Sequence, residues 1–189
     1  MAPIQPQPAL KAGPFATRGG PRLDPAPKGG KPPPPKAPPG LRIEHRVGIQ
    51  APAEVIWEVL SDLESWSEWC KLYPKAAGAI RIGSQLDVTL ALPGRPEEEI
   101  HPTVLEWVPN EQLHWRLFML RGLVKTTRFF EIEALAAESC IVNNGELIAG
   151  LLGPTLGRRL GRTIYRAFAD MNEALKARAE LLWQRRKDG

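Results

Sequence analysis

The feature that most constrains the fold is one long stripe of large apolar residues near the C-terminus. Gly153-Pro154 provides a helix start, because proline is favoured in the first helical turn. Beyond it, apolar side chains recur three, four or seven positions apart, at Leu156, Leu160, Ile164, Phe168, Met171, Leu175 and Leu182. Arginine and lysine mostly cover the other side, so the spacing predicts a strongly amphipathic helix. This helix has to pack on a second layer, since each large apolar side chain contributes about 1.5–3 kcal/mol when it is buried.

The residues before this helix predict the layer on which it packs. Alternating apolar residues at 41–49 indicate a strand, and two short helices follow, the first of them started by Pro52. Further strands are predicted at residues 86–92, 100–107, 112–118, 124–135 and 139–148. This order predicts an α+β fold, in which an antiparallel sheet of about seven strands carries the helices on one face.

Residues 1–40 differ from the rest of the chain in composition. They contain 13 of the 20 prolines, six Lys or Arg and a single acid, Asp24. So few large apolar residues cannot offset the entropy cost of ordering, and we expect a disordered, basic, Pro/Gly-rich tail. Residues 41–189 are expected to form one domain. Because the net charge of +4 comes from the tail, this domain is close to neutral, and we expect no specific nucleic-acid partner.

Several classes of site are not indicated by the sequence. Cys70 and Cys140 have no metal-ligand spacing, and the three histidines lie on different predicted strands, so we expect no metal and no cofactor. No Walker loop, nucleophile elbow or dinucleotide fingerprint occurs. No apolar run has the ~20 residues of a membrane span, and the first residues lack the apolar core of a secretory signal. A cytoplasmic location is therefore expected.

Four short segments resemble the START-like (SRPBCC) superfamily, which includes polyketide cyclases and dehydratases, plant pathogenesis-related class 10 proteins and coenzyme-Q-binding proteins. They lie at residues 49–62, 66–69, 82–86 and 146–152. The sequence departs from the family at Cys70-Lys71, where the branch it resembles usually has Asn-Pro. The resemblance covers about residues 41–185. It implies a helix-grip fold, in which the curved sheet wraps around the C-terminal helix, and a hydrophobic ligand in a cavity between them.

The last two predicted strands can be paired from their turn. With the hairpin centred on Ala137, Arg128 faces Glu146 and Phe130 faces Asn144, all on one face because side chains alternate along a strand. The apolar members of this face predict that it points inward: Phe130, Ile132, Val142 and Ile148. Arg128 and Glu146 would then form either a structural ion pair or a pair of ligand contacts. They are also the candidate catalytic residues if the protein is an enzyme.

Other candidate ligand-binding residues surround that face. Val104 is expected opposite Trp115 across the turn at Pro109-Asn110, and Trp115 serves either as core or as a surface on which a ligand stacks. Trp69 and Tyr73 belong to the segment that should form the rim of the cavity. The remaining candidates come from the strands and the C-terminal helix: Leu90, Leu117, Leu160, Ile164 and Phe168.

Three functions are left open by the sequence. The first is binding, with or without transport, of a hydrophobic small molecule such as a lipid, isoprenoid or polyketide-like compound. The second is a cyclase or dehydratase acting on a poly-β-keto chain, with Arg128 and Glu146 orienting it or transferring protons. The third is a protein-interaction module, like the chaperone-activating or ribosome-associated members of the superfamily, in which the arginine-rich face of the last helix binds an acidic partner. We expect a monomer or a weak homodimer.

Overall fold

The computed structural model describes residues 40–189, so the tail predicted for residues 1–40 lies, apart from Gly40, outside the described residues. The elements, in chain order, are β1 (Leu41–Ile49), α1 (Ala53–Ser61), α2 (Trp66–Trp69), β2 (Lys75–Ala77), β3 (Asp87–Leu90), β4 (Glu98–Ile100), β5 (Thr103–Val108), β6 (Gln112–Met119), β7 (Val124–Ala136), β8 (Ser139–Ala149) and α3 (Gly153–Asp188). A 3₁₀ turn at Leu120–Gly122 joins β6 to β7. The predicted α+β class, with two short helices after the first strand, is confirmed.

The strands form two antiparallel sheets rather than one. The larger sheet has the order β1-β8-β7-β6-β5, and the smaller has the order β2-β3-β4. The single strand predicted at residues 100–107 was wrong, because β4 pairs with β3 whereas β5 pairs with β6. Pro102 lies at the break and has no backbone N–H for a ladder, while its carbonyl accepts a hydrogen bond from the Leu86 amide at 3.0 Å. Strand β2 was not predicted.

The register of the larger sheet places the candidate polar residues side by side. Arg128 pairs with Glu146 and Phe130 with Asn144, as the hairpin turn predicted, and a bulge after Ala134 adjusts the strands near the turn. One row of partners crosses all five strands from β1 to β5: Ile43, Glu146, Arg128, Trp115 and Val104. Arg128 therefore lies at the centre of the sheet.

Helix α3 packs closely on β1 through its small residues. A methyl group added at Gly157 would lie 2.5 Å from Leu41 Cδ2, so only glycine allows this approach without movement of Leu41. At Gly161 the added methyl would meet Ile43 Cδ1 at 3.6 Å, which is ordinary contact. None of the helices in residues 40–189 combines the length and apolar character that a bilayer crossing requires.

The second half of α3 is fixed to the rest of the domain by polar contacts. The buried Asn172 accepts a hydrogen bond from Asn144 Nδ2 at 2.8 Å and donates one to the His45 carbonyl at 2.9 Å. Within residues 40–189, polar contacts from α3 side chains to other elements begin at Met171 and continue through Asn172, Arg178, Glu180, Trp183, Arg186 and Lys187. The first half of α3 contacts the sheet through apolar side chains, which include Ile164 and Phe168.

Candidate functional site

The centre of the candidate site is the buried guanidinium of Arg128, whose side chain is 1% exposed. Its Nε donates a hydrogen bond to Tyr73 Oη at 3.1 Å, and its Nη1 donates one to the Gly145 carbonyl at 2.9 Å. The guanidinium also stacks over the ring of Phe168, 3.7 Å from the centroid, and over that of Phe130 at 4.7 Å. Aromatic faces and neutral oxygens thus compensate a charge that is costly to bury.

No carboxylate completes an ion pair with Arg128 among the described residues, where such a pair would need an N–O distance of 4.0 Å or less. Glu146 is its register partner but does not come this close, so the structural ion pair that the sequence left open is not formed. Burial of the Glu146 carboxyl raises its pKa above the ordinary value. The positive charge of Arg128 and the Thr126 hydroxyl lower that pKa by less. The site therefore holds the Arg128 guanidinium beside a carboxyl group whose pKa is raised by burial.

Tyr73 supplies a second polar atom at the same place. Burial raises the pKa of its phenol to about 12, although the neighbouring Arg128 charge acts in the opposite direction. The hydroxyl is therefore protonated at neutral pH. Because its oxygen accepts from Arg128 Nε, its hydrogen stays available for another acceptor.

An aromatic cluster surrounds these polar groups, with Trp66 at its centre. The Trp66 ring is fully buried, and its Nε1 donates to the Leu60 carbonyl at 3.2 Å. The centroid of the Trp66 ring lies between 5.6 and 6.0 Å from the ring centroids of four neighbours: Trp69, Tyr73, Trp115 and Phe130. Sequence reasoning used Trp66 to recognise the family but missed it as a site residue, since it lies on a short helix whose inward face no periodicity reveals.

A line of polar side chains runs from the cluster toward β1. Asn144, Asn172 and His45 are joined by hydrogen bonds, yet the buried Asn144 Oδ1 has no partner among the described residues. The Trp69 Nε1 is likewise buried without a partner. Asn172 was also missed, although a polar residue within the apolar stripe of the last helix was a visible signal.

The structure brings most of the sequence-predicted site residues together, but it does not test whether they bind a ligand. Tyr73, Trp115, Arg128, Phe130 and Phe168 form one connected group of contacts. Three further candidates are buried in the same core: Val104, Asn144 and Ile164. The others are only partly buried: Trp69, Leu90, Leu117, Glu146 and Leu160.

The cavity expected between the sheet and α3 stays a prediction. The cluster side chains pack against one another, and two surface depressions lie elsewhere. One, of about 210 Å³, lies between α1 and α3, and the other, of about 530 Å³, lies beside the β5–β6 turn. Residues 40–189 contain no cluster of three or more His, Cys, Asp or Glu suited to a metal ion.

A curved antiparallel sheet closed by a long helix over a buried polar centre defines a helix-grip protein. The family model described as polyketide cyclase / dehydrase and lipid transport matches residues 41–180. The chain belongs to this family, which confirms the resemblance to the START-like superfamily. No curated protein matches the sequence.

Solved structures with this fold include a START superfamily protein and two proteins described as enzymes. A START superfamily protein from Mycobacterium smegmatis is 22% identical, with a TM-score of 0.59 over 75% of this chain and 98% of its own. The Zhui aromatase/cyclase from Streptomyces sp. R1128 is 18% identical, with a TM-score of 0.58 over 74% and 93%. Norcoclaurine synthase from Thalictrum flavum, in complex with dopamine and hydroxybenzaldehyde, is 18% identical, with a TM-score of 0.57 over 76% and 87%. At these identities the likeness shows the fold alone.

Proposed function

We propose that the protein binds a mainly apolar small molecule bearing one oxygen-rich polar group, between the five-stranded sheet and α3. The observation that carries this proposal is the buried Arg128, which has no carboxylate partner. Burying a charge without a carboxylate partner costs stability, and apolar packing at the centre of the sheet does not require a guanidinium. Arginine is well suited to hold a carboxylate, phosphate or polarised carbonyl.

The surrounding groups fit the same class of ligand. Tyr73 offers a hydroxyl hydrogen, and the rings of Trp66, Trp115 and Phe130 offer apolar surface on which a ligand stacks. A ligand bound here replaces part of the present packing among these side chains. Lipids, isoprenoids and polyketide-like compounds have the required combination of an apolar body and a polar end. The relatives described as an aromatase/cyclase and as a complex with dopamine and hydroxybenzaldehyde support aromatic, oxygenated ligands.

The first test is native mass spectrometry of the purified full chain, followed by denaturing extraction of any molecule that co-purifies. A stoichiometric apolar compound is the expected result. A parallel titration uses a fluorescent fatty acid and its methyl ester. Arg128→Met should weaken binding of the acid by about tenfold or more, equal to about 1.4 kcal/mol, and should leave the ester nearly unchanged.

The matched control is Arg46→Met, which removes an arginine from an exposed ion pair with Glu133 on the opposite face of the sheet. It should leave both affinities unchanged. A protein that purifies without any bound molecule and takes up neither probe would contradict the proposal. Equal losses in the two variants would show that Arg128 does not hold the polar group.

A second candidate function is a cyclase or dehydratase reaction on the bound molecule. The specific observation favouring it is the separation of Arg128 from Glu146 together with the raised pKa of the Glu146 carboxyl. A neutral carboxylic acid can donate a proton to a leaving hydroxyl while an arginine polarises a carbonyl. Turnover of the co-purified compound or of a poly-β-keto thioester, abolished in Glu146→Gln with binding retained, would favour the enzyme over the carrier.

A further inference from the structure

One end of the larger sheet carries a group of exposed apolar side chains on and beside two neighbouring loops. We call this the two-loop patch: Leu120 and Leu123 between β6 and β7, Leu151 and Leu152 between β8 and α3, and Phe118 near the end of β6. These five account for half of the ten exposed large hydrophobic side chains in residues 40–189, and Leu151 is 81% exposed. The loops touch, because the Leu152 amide donates to the Leu123 carbonyl at 3.1 Å. The two loops are therefore neighbours in space, and their exposed leucines lie at the same end of the sheet.

The backbone of the loop between β6 and β7 is strained at two residues. Leu120 and Arg121 have φ values of 51° and 54°, in the left-handed region that side-chain-bearing residues disfavour. Leu120 nevertheless stays 59% exposed, so burial of its side chain does not explain the conformation. Backbone strain of this kind is concentrated at functional sites.

The charges around the patch have one sign along the chain. Residues 112–130 and 147–169 contain no Asp or Glu. Their cations outside the buried centre form no salt bridge within residues 40–189: Arg116, Arg121, Lys125, Arg158, Arg159, Arg162 and Arg166. Most arginines of the second half of α3, by contrast, are paired, as in Arg178–Glu68 and Arg186–Glu58. Helix starts favour acids, yet α3 has none in its first turn.

We propose that the two-loop patch docks on an anionic lipid bilayer. Leu120 and Leu151 insert among the acyl chains, and the arginines of the loops and of the first turns of α3 lie at the headgroups. A bilayer accepts apolar loop tips without matching their shape, and anionic headgroups complement a rim of cations that has no acids in these segments. This inference goes beyond the proposed function and does not depend on it. The patch lies near Arg128, since β7 begins only four residues before it, about 13 Å along the strand.

The test measures co-sedimentation of the full chain with vesicles of phosphatidylcholine alone and of phosphatidylcholine with phosphatidylserine. The variants are Leu120→Asp and the matched control Leu135→Asp. The two leucines are 59% and 58% exposed, and Leu135 lies at the other end of β7. Each variant adds the same charge, and aspartate tolerates the left-handed backbone at position 120, so folding is retained and circular dichroism checks it.

The wild type should bind the anionic vesicles, and added salt should weaken that binding. Leu120→Asp should weaken binding by about tenfold or more, whereas Leu135→Asp should change it by less than about twofold. Absence of binding to anionic vesicles overturns the proposal. Equal weakening by both variants also overturns it, because binding would then follow net charge alone. A dimer in sedimentation that Leu120→Asp removes, without vesicle binding, would assign the patch to a second copy of the chain.

Discussion

At the scale of single residues, Arg128 and Glu146 define an unusual electrostatic arrangement. They face each other across β7 and β8, yet Arg128 is satisfied by the Gly145 carbonyl, Tyr73 and aromatic rings rather than by the carboxylate. Loss of hydration is consequently the largest influence on the pKa of the Glu146 carboxyl, and it raises that pKa. The pair thus couples the charge of the site to pH.

Glu146→Gln is expected to change how stability depends on pH. Because the folded-state pKa is raised, the unfolded chain ionises first, and the wild type loses stability as pH rises through the interval between the unfolded and folded pKa values. The variant has no such loss. The free energy of unfolding of the variant minus that of the wild type should therefore be larger at about pH 7 than at about pH 4, which means that the variant is relatively more stable at pH 7. Urea denaturation at both values measures this difference.

The control for this experiment is Glu133→Gln, an exposed carboxylate paired with Arg46. It should not gain stability relative to wild type as pH rises. A Glu146→Gln difference that is constant with pH, or that grows toward acid, would contradict the raised pKa.

At the scale of elements, the contact between α3 and β1 depends on glycines that serve different purposes. Gly157 is required for close approach, since an added methyl group would lie 2.5 Å from Leu41 Cδ2. Gly161 lies one turn further along the same face, but the space there accepts a methyl group. The two positions separate the effect of packing from that of helix propensity.

Gly161→Ala should stabilise the domain by about 0.5–1 kcal/mol, because alanine has the higher helix propensity and the new methyl group makes an ordinary contact with Ile43. Gly157→Ala should gain less, or lose stability, because Leu41 has to move. Urea unfolding of both variants against wild type measures the two effects. Equal stabilisation at both positions would show that the helix does not need glycine for its approach to β1.

At the scale of the whole molecule, the two cysteines report whether the domain opens as one unit. Cys70 follows α2 and Cys140 lies on β8, and both are free and buried. Burial raises the pKa of the Cys70 thiol to about 11 and also raises that of Cys140. Neither thiolate is therefore appreciably populated in the folded protein at neutral pH.

Both thiols should react with a maleimide or disulfide reagent only through unfolding, at similar rates that rise together with urea concentration. Mass spectrometry of peptides after pulse labelling measures each thiol separately, and full labelling in denaturant provides the control. Fast reaction of Cys70 alone would show that the segment after α2 opens independently of the sheet.

Local patterns predicted much of this architecture. The alternation on β7 and β8 and the turn at Ala137 were sufficient for the Arg128–Glu146 register, because a shift of one residue would have exposed the apolar face. The Val104–Trp115 pairing followed in the same way. The stripe on the last helix predicted its inward face.

The remaining features depend on contacts between distant parts of the chain. The break at Pro102 depends on tertiary pairing, because the residues before it pair with β3 and those after it pair with β6. The hydrogen bond of Arg128 to Tyr73 rather than to Glu146 depends on how the segment before β2 packs on the sheet. Neither contact leaves a periodic signal. The sequence could therefore predict the inner face and most of its members, but not which of them pair.

The contacts that attach α3 to the rest of the domain differ along its length. Sliding the whole helix by one turn would strand Asn172 away from Asn144 and His45, which leaves buried polar groups without partners. Lifting only the turns before Met171 would break no hydrogen bond or ion pair of an α3 side chain, but it would expose apolar surface and remove the Phe168 ring from the Arg128 guanidinium. The half of α3 that lies over Arg128 is therefore attached by apolar packing and by the Phe168–Arg128 contact, whereas the half beyond Asn172 is attached by hydrogen bonds and ion pairs as well.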